Sequence, residues 1–309
     1  MSRYWHRSAG KMKVFSWGLL ILSVLAVNAH AQAFLGTSWQ FSVLGAQTVT
    51  NTGATTLNAD LGVSPGTAVT GSGTITFSGA APNNVITSTA TAAAGQSTAT
   101  AAVADIAGLS GVSALGSSDL TGQALNATGA SGTFGGDSIT IYSGGALSLD
   151  TGGVLTLNFE GLSDETIVLV ASSTLITGSG SGVDILGGNS TDEVDWVVGS
   201  SATLGTTTSL VGNIIASASV SLDTGATIGC GSVVAQTGAV TMEGNTISNT
   251  CNGLAATTGS TTTPTPVTPI GGGGTTTVSV PEGGSTLLYL CSFLLPLGAM
   301  RGFRFRRSI

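Results

Sequence analysis

Three stretches of this sequence can be written one under another, and that alignment restricts the fold more than any other feature. The first runs Val194-Asp195-Trp196-Val197-Val198, then Ser201-Ala202-Thr203-Leu204 and Ser209-Leu210. The second runs Gly212-Asn213-Ile214-Ile215-Ala216, then Ser219-Val220-Ser221-Leu222 and Thr227-Ile228. The third runs Ser232-Val233-Val234-Ala235, then Ala239-Val240-Thr241-Met242 and Thr246-Ile247. The period is 17 to 20 residues. So short a period, with three brief alternating segments and Gly-rich corners, describes one coil of a β-solenoid.

Upstream segments share this style. Gln40–Gly45, Gln47–Thr55 and Gly71–Ser78 read as short strands, with turn chemistry at Ser64-Pro65-Gly66. From Ser138 onward, Ile139–Tyr142, Ala146–Leu149, Val154–Leu157, Thr166–Val170 and Ser173–Ile176 alternate with Gly, Asn, Asp and Ser clusters. One stretch differs. Residues 84–109 are Ala- and Thr-rich and free of Pro. Val85, Ala92, Gln96, Ala99, Val103 and Ile106 share one helical stripe, with Asn83 or Asn84 as N-cap and Gly108 as stop. The fold expected from these patterns is mainly β: a β-solenoid with one long helix along its side.

The two ends read as addresses. Residues 1–33 have a basic start, an apolar run from Val14 to Val27 and small residues at Ala29, Ala31 and Ala33, the pattern of a secretory signal peptide. Residues 252–280 form a Thr/Pro/Gly linker. Residues 281–309 combine a short motif, an apolar run and a basic cap, which suits a sorting signal. The solenoid domain is expected over 34–251. Localisation follows as secreted or cell-surface, with membrane contact only through the terminal segments before processing.

Charge excludes most chemistry. All eight Lys and Arg lie in residues 3–13 and 301–307, and both His lie in the leader. The body therefore has no cation to neutralise phosphates, so nucleic acid is not an expected partner. It also has no His base, Lys nucleophile or Arg clamp. Only carboxylate chemistry stays open. Asp164-Glu165 and Asp192-Glu193-Asp195 sit among Gly, Ser and Asn and read as solvated loops, not as an acid pair or a Ca²⁺ site. No enzyme activity, metal or cofactor is expected. Cys230 and Cys251 make an even pair once the tail holding Cys291 is removed. In an oxidising compartment a bridge between them closes a loop of about 20 residues, worth roughly 3 kcal/mol.

Residues 35–251 carry a family resemblance. Phe41-Ser42-Val43-Leu44, Thr50-Asn51-Thr52-Gly53 and Asn58–Thr67 resemble the N-terminal signature of the DUF3494-type ice-binding (antifreeze) proteins. Trp196–Leu204, Gly212–Ala216, Leu222–Thr227, Gly238–Thr241 and Asn245–Ile247 resemble the C-terminal signature. The tail from Val280-Pro281-Glu282 is similar to PEP-CTERM signals, which implies a sortase-like processing enzyme as a partner. The family resemblance implies an irregular β-solenoid of triangular section, with one long helix packed along its side, that adsorbs to an ice crystal surface through one flat face and inhibits growth or recrystallisation. The alternative is a surface solenoid acting as a polysaccharide-binding adhesin or matrix protein.

Two outward rows can supply the face. If Leu204, Leu222 and Met242 point inward, Ser201, Thr203, Ser219, Ser221, Ala239 and Thr241 form one. If Leu210, Ile228 and Ile247 point inward, Ser209, Thr227 and Thr246 form another. The latter has Thr206 and Thr224 at its corner, and Thr52 and Thr55 belong to the Thr-Gly-Ala-Thr pattern that it shares with Thr224–Thr227. The first row is favoured slightly.

Overall fold

The structure is a computed structural model, described here for residues 40–79 and 84–250. All of them belong to one compact unit, residues 1–261. The leader, Cys251, the linker and the sorting tail lie outside the described residues.

Seven coils stack into a solenoid with three sheets of parallel strands, named here A, B and C. Each coil gives one strand to each sheet in that order. Coil 1 holds Asp137–Gly144, Leu147–Leu149 and Val154–Asn158. Coil 2 holds Glu165–Ala171, Leu175–Thr177 and Gly182–Leu186. Coil 3 holds Glu193–Val198, Ala202–Leu204 and Ser209–Val211. Coil 4 holds Asn213–Ala216, Val220–Leu222 and Thr227–Gly229. Coil 5 holds Val233–Ala235, Val240–Glu243 and Thr246–Ile247. The repeat seen in the sequence is thus coils 3, 4 and 5.

The order of stacking does not follow the chain. Phe41–Gly45, Thr48–Thr52 and Thr55–Leu57 pair directly with coil 5 and make coil 6. Asp60–Val63, Ala68–Thr70 and Ile75–Phe77 make coil 7. Val85–Thr87 then pairs with Leu61–Val63 at that end of sheet A. The chain returns to the far end through one helix, α1 (Ala90–Gly108). Its 19 residues span about 28 Å at the usual rise. Seven strands spaced by about 4.8 Å cover a similar length. The helix is therefore as long as the stack is tall. A cap follows it. Ser113–Ala114 and the antiparallel Gly132–Phe134 pair with the sheet A strand of coil 1, and Ala124–Asn126 pairs with its sheet C strand.

The helix starts later than the sequence stripe suggests. Residues 85–87 are taken by sheet A, and Thr89 is the N-cap, its side chain accepting from Ala92 N at 3.2 Å. The buried stripe is Ala92, Gly95, Ala99, Ala102 and Ile106. Small residues let the helix lie close to sheet A. A Cβ on Gly95 would meet Leu44 Cδ2 at 2.9 Å and Phe41 Cε2 at 3.0 Å. Gln96 then ties the helix to coil 5, its Nε2 donating to Ala235 O at 3.1 Å.

Sheet A is consequently covered on both sides. Val43, Ile167, Leu169, Trp196, Ile214 and Val233 face the solenoid interior. Phe41, Leu44, Val168, Val197, Ile215 and Val234 share a second cluster with the helix residues Ala92, Ala99, Ala102 and Ile106. Such strands read as continuous apolar runs, because neither face meets water. Trp196 is the largest fully buried side chain. Its Nε1 donates to Val211 O at 2.9 Å, which satisfies the one polar atom the ring brings inside.

Candidate functional site

With the helix on sheet A, sheets B and C are the broad faces that no helix of the described residues covers. Sheet B places Leu204, Leu222 and Met242 inside, buried in the core. The residues between and before them therefore point outward. One outward row runs, in register, Ser148, Ile176, Thr203, Ser221, Thr241, Thr50 and Thr70. A second follows from the residues just before the inward column: Thr174, Ser201, Ser219, Ala239, Thr48 and Ala68. Ser201 and Ser219 also brace their own row. Ser201 Oγ accepts from Ser219 N at 3.4 Å, and Ser219 Oγ accepts from Ala239 N at 3.2 Å. Neither row contains a charged residue. Ile176 is the one large apolar side chain, and it is 52% exposed.

Sheet C presents its own outward row: Thr76, Thr56, Thr246, Thr227 and Ser209, followed by Gly182 and Val154. The neighbouring outward positions are less uniform. They include Val211, Gly229, Asp184 and Thr156, so a carboxylate stands on this face. Ser209, Thr227 and Thr246 thus share a row. Thr206 and Thr224 sit exposed in the turn between sheets B and C, and Thr52 ends its sheet B strand beside Glu243.

Thr55 does not belong to any surface. It is 1% exposed, and its hydroxyl donates to Asn51 Oδ1 at 2.6 Å. It also accepts from Asn245 N at 3.1 Å. Its place in the Thr-Gly-Ala-Thr pattern is a buried corner, where the turn backbone needs polar partners that water cannot reach. Asn245 acts likewise one coil away, donating to Asp223 O at 2.9 Å and Ala226 O at 3.0 Å. Thr177, Ser181 and Thr208 fill the same corner in coils 2 and 3.

That corner has a second regularity. At each coil one residue adopts a left-handed conformation: Gly152, Gly180, Thr207, Gly225, Gly244, Gly53 and Gly71, with φ from 57° to 78°. Glycine accepts this at no steric cost. Thr207 is the exception in the column. A repeated sharp turn at one register holds the edge of sheet B straight from coil to coil.

The acidic segments are also placed differently from the sequence expectation. Glu165, Asp192, Glu193 and Asp195 are buried, not solvated. Glu193–Val198 is a strand of sheet A, and every residue in it is buried because the sheet is covered on both sides. Desolvation raises the pKa of all four carboxyls. Among the described residues no group of three His, Cys, Asp or Glu could hold a metal ion. Cys230 is disulfide-bonded, and Cys251 lies outside the described residues.

Thr48, Thr50, Ala68 and Thr70 of the sheet B rows are not among the candidates for the face that the sequence offers. They come from coils 6 and 7, which reach the face only because those coils stack on coil 5. Strand alternation around Val49 was the available signal.

The profile of the Ice-binding-like family matches residues 43–248. An ice-binding protein of Nostoc sp. (strain HG1) is 37% identical over 244 residues, which is 75% of this chain and 82% of that protein. The crystal structure of an ice binding protein from an Antarctic biological consortium is similar with a TM-score of 0.60 and 32% identity, over 70% of this chain and 90% of that one. The crystal structure of the ice-binding protein from the Antarctic ascomycete Antarctomyces psychrotrophicus gives a TM-score of 0.56 and 30% identity, over 69% of this chain and 96% of that one.

Proposed function

This chain belongs to the Ice-binding-like family, and from that premise we propose that it adsorbs to ice through sheet B and so restrains ice growth or recrystallisation. The observation that carries the choice of face is the uncharged pair of outward rows. Thr203, Ser221, Thr241, Thr50 and Thr70 stand in register across five coils, beside Ser201, Ser219, Ala239, Thr48 and Ala68. Sheet C carries Asp184 in the middle of a strand, whereas the sheet B carboxylates Asp223 and Glu243 stand at or just past the strand ends, outside both rows.

Ice is a neutral lattice, and a solvated charge on the contacting face costs desolvation without return. Threonine suits the task. Its hydroxyl holds an ordered water, its methyl disfavours liquid water, and its β-branched side chain is stiff. Coils repeat at about 4.8 Å and alternate residues at about 6.6 Å, which sets the hydroxyls and methyls on a two-dimensional grid. Each contact is weak, and many held on one rigid face act together. Ice that advances between adsorbed molecules must curve, and curved ice grows less readily.

The remainder of the reading concerns delivery. Export through the 1–33 leader and trimming of 281–309 by a sortase-like enzyme would put the solenoid outside the cell or on its surface. N-terminal sequencing of the secreted chain tests the first step.

The face is tested by paired substitutions. Thr241→Tyr puts a ring in the middle of sheet B, and Thr246→Tyr does the same on sheet C. Recrystallisation inhibition is expected to need at least about tenfold more of the first variant and to change little for the second. The reverse result moves the site to sheet C. A chain that neither shapes nor slows ice crystals returns the fold to the adhesin reading.

A further inference from the structure

Sheet A contains a polar cluster that the ice-binding role does not use. Glu193 and Asp195 lie two residues apart on coil 3, on the same side of their strand, and are 5% and 0% exposed. Asn213, their neighbour on coil 4, donates from Nδ2 to Glu193 Oε1 at 2.9 Å and to Asp195 Oδ1 at 3.0 Å. Its own Oδ1 accepts from Ser232 N at 2.9 Å. Both N–H groups of the amide are then used. Glu193 Oε2, Asp195 Oδ2 and Ser232 Oγ remain buried with no hydrogen-bond partner.

The charged groups that face this pair are all acidic. Asp195 and Asp137 both act on Glu193. No Lys, Arg or His occurs anywhere in residues 31–300, so no side chain of the solenoid can compensate a buried carboxylate. Two ionised carboxylates side by side, out of water and without a cation, are not sustainable.

We propose that the Glu193–Asp195–Asn213 cluster keeps at least one proton in the folded domain at neutral pH, and that acidity therefore stabilises this solenoid. A neutral carboxyl removes the repulsion and turns one orphaned oxygen into a donor. Asn213 then holds the two acids in place through its amide.

The direction of the pH effect follows from proton uptake. In the unfolded chain both acids lose their protons near the ordinary carboxylate range, about 4. In the fold, burial pushes Asp195 up to about 7, against the opposing pull of Asn213. Burial also raises Glu193 well above the ordinary carboxylate range, assisted by Asp195 and then Asp137. Between these limits the folded state binds more protons than the unfolded one. The contribution is complete below about pH 4 and is lost as pH rises through the folded values. Each retained proton changes the unfolding constant by about tenfold per pH unit inside the window.

Thermal unfolding of the full chain between pH 4 and pH 8 tests this. The wild-type Tm is expected to fall as pH rises. Asp195→Asn and the double variant Glu193→Gln/Asp195→Asn keep the side-chain shape and the acceptor for Asn213. Both should unfold at higher temperature than wild type at pH 8, with a shallower dependence on pH. The wild-type chain supplies a readout that needs no variant: an infrared carbonyl band of a protonated carboxylic acid at pH 7, lost in stronger alkali. A wild-type Tm that is flat or rises with pH overturns the proposal, and so does the absence of that band at pH 7. A Tm raised by CaCl₂, with the pH slope abolished, also overturns it by making a cation the partner.

Discussion

Thr50 and Thr241 are in-register neighbours on adjacent coils of sheet B, although they come from opposite ends of the described chain. The outward Thr row is continuous across coils 3 to 7 only because coil 6 docks on coil 5. The face is thus assembled from two separate stretches of sequence.

Thr50→Tyr tests whether the N-terminal stretch works as part of that face. The substitution is on an outward position and leaves the core untouched. Recrystallisation inhibition is expected to fall as far as for Thr241→Tyr, with Tm within a few degrees of wild type. Unchanged activity would confine the working surface to coils 3 to 5.

Gly95 sets how closely α1 approaches sheet A. A side chain there runs into Leu44 and Phe41, both fully buried and unable to retreat into solvent. Gly95→Leu is expected to cost about 1–3 kcal/mol, despite the better helix propensity of leucine. Denaturant unfolding of the two chains measures it. A stability equal to or above wild type would mean that the helix is not in tight contact at this point.

Thr207 occupies a left-handed position that its counterparts on the other six coils fill with glycine. A β-branched residue in that conformation carries roughly 1–2 kcal/mol of strain, offset in part by the entropy glycine loses on folding. Thr207→Gly is therefore expected to raise stability by about 1 kcal/mol, and ice activity should not change. A destabilised variant would show that the Thr207 hydroxyl, which donates to Thr206 O at 2.7 Å, matters more than the backbone.

Much of this architecture was readable from residue order. Coils 3, 4 and 5 repeat closely enough that the inward columns Leu204–Leu222–Met242 and Leu210–Ile228–Ile247 follow from the repeat itself. The two outward rows follow from alternation alone, and they lie on two different sheets. The stacking of coil 6 on coil 5 was not readable. Parallel strands pair through backbone groups, and nothing in Val43 or Thr50 names the partner coil. The helix boundary was blurred for a similar reason. Val85–Thr87 fits a helical stripe, but sheet A offers it hydrogen bonds from coil 7.

The acids misled for another reason. Glu193 and Asp195 sit among Gly, Ser and Asn, a composition that belongs to solvated turns. Their alternation with Val194 and Trp196 is a strand signal, and it was the stronger one. Whether a strand's outer face meets water depends on the helix across it, which is distant in sequence. Thr55 was misplaced by a motif. The Thr-Gly-Ala-Thr pattern marks a corner, and its last residue turns inward in coil 6 although Thr227 turns outward in coil 4.

The unusual stacking order has a mechanical consequence. In a simple solenoid the first and last coils stand at the ends and can fray one at a time. Here the two ends of the described chain, residues 40 and 250, flank the junction of coils 5 and 6, where each coil is gripped from both sides. Pulling on either end does not peel the rod from its tip. It loads the middle of the stack, with the cap at one extremity and coil 7 at the other left out of the line of force.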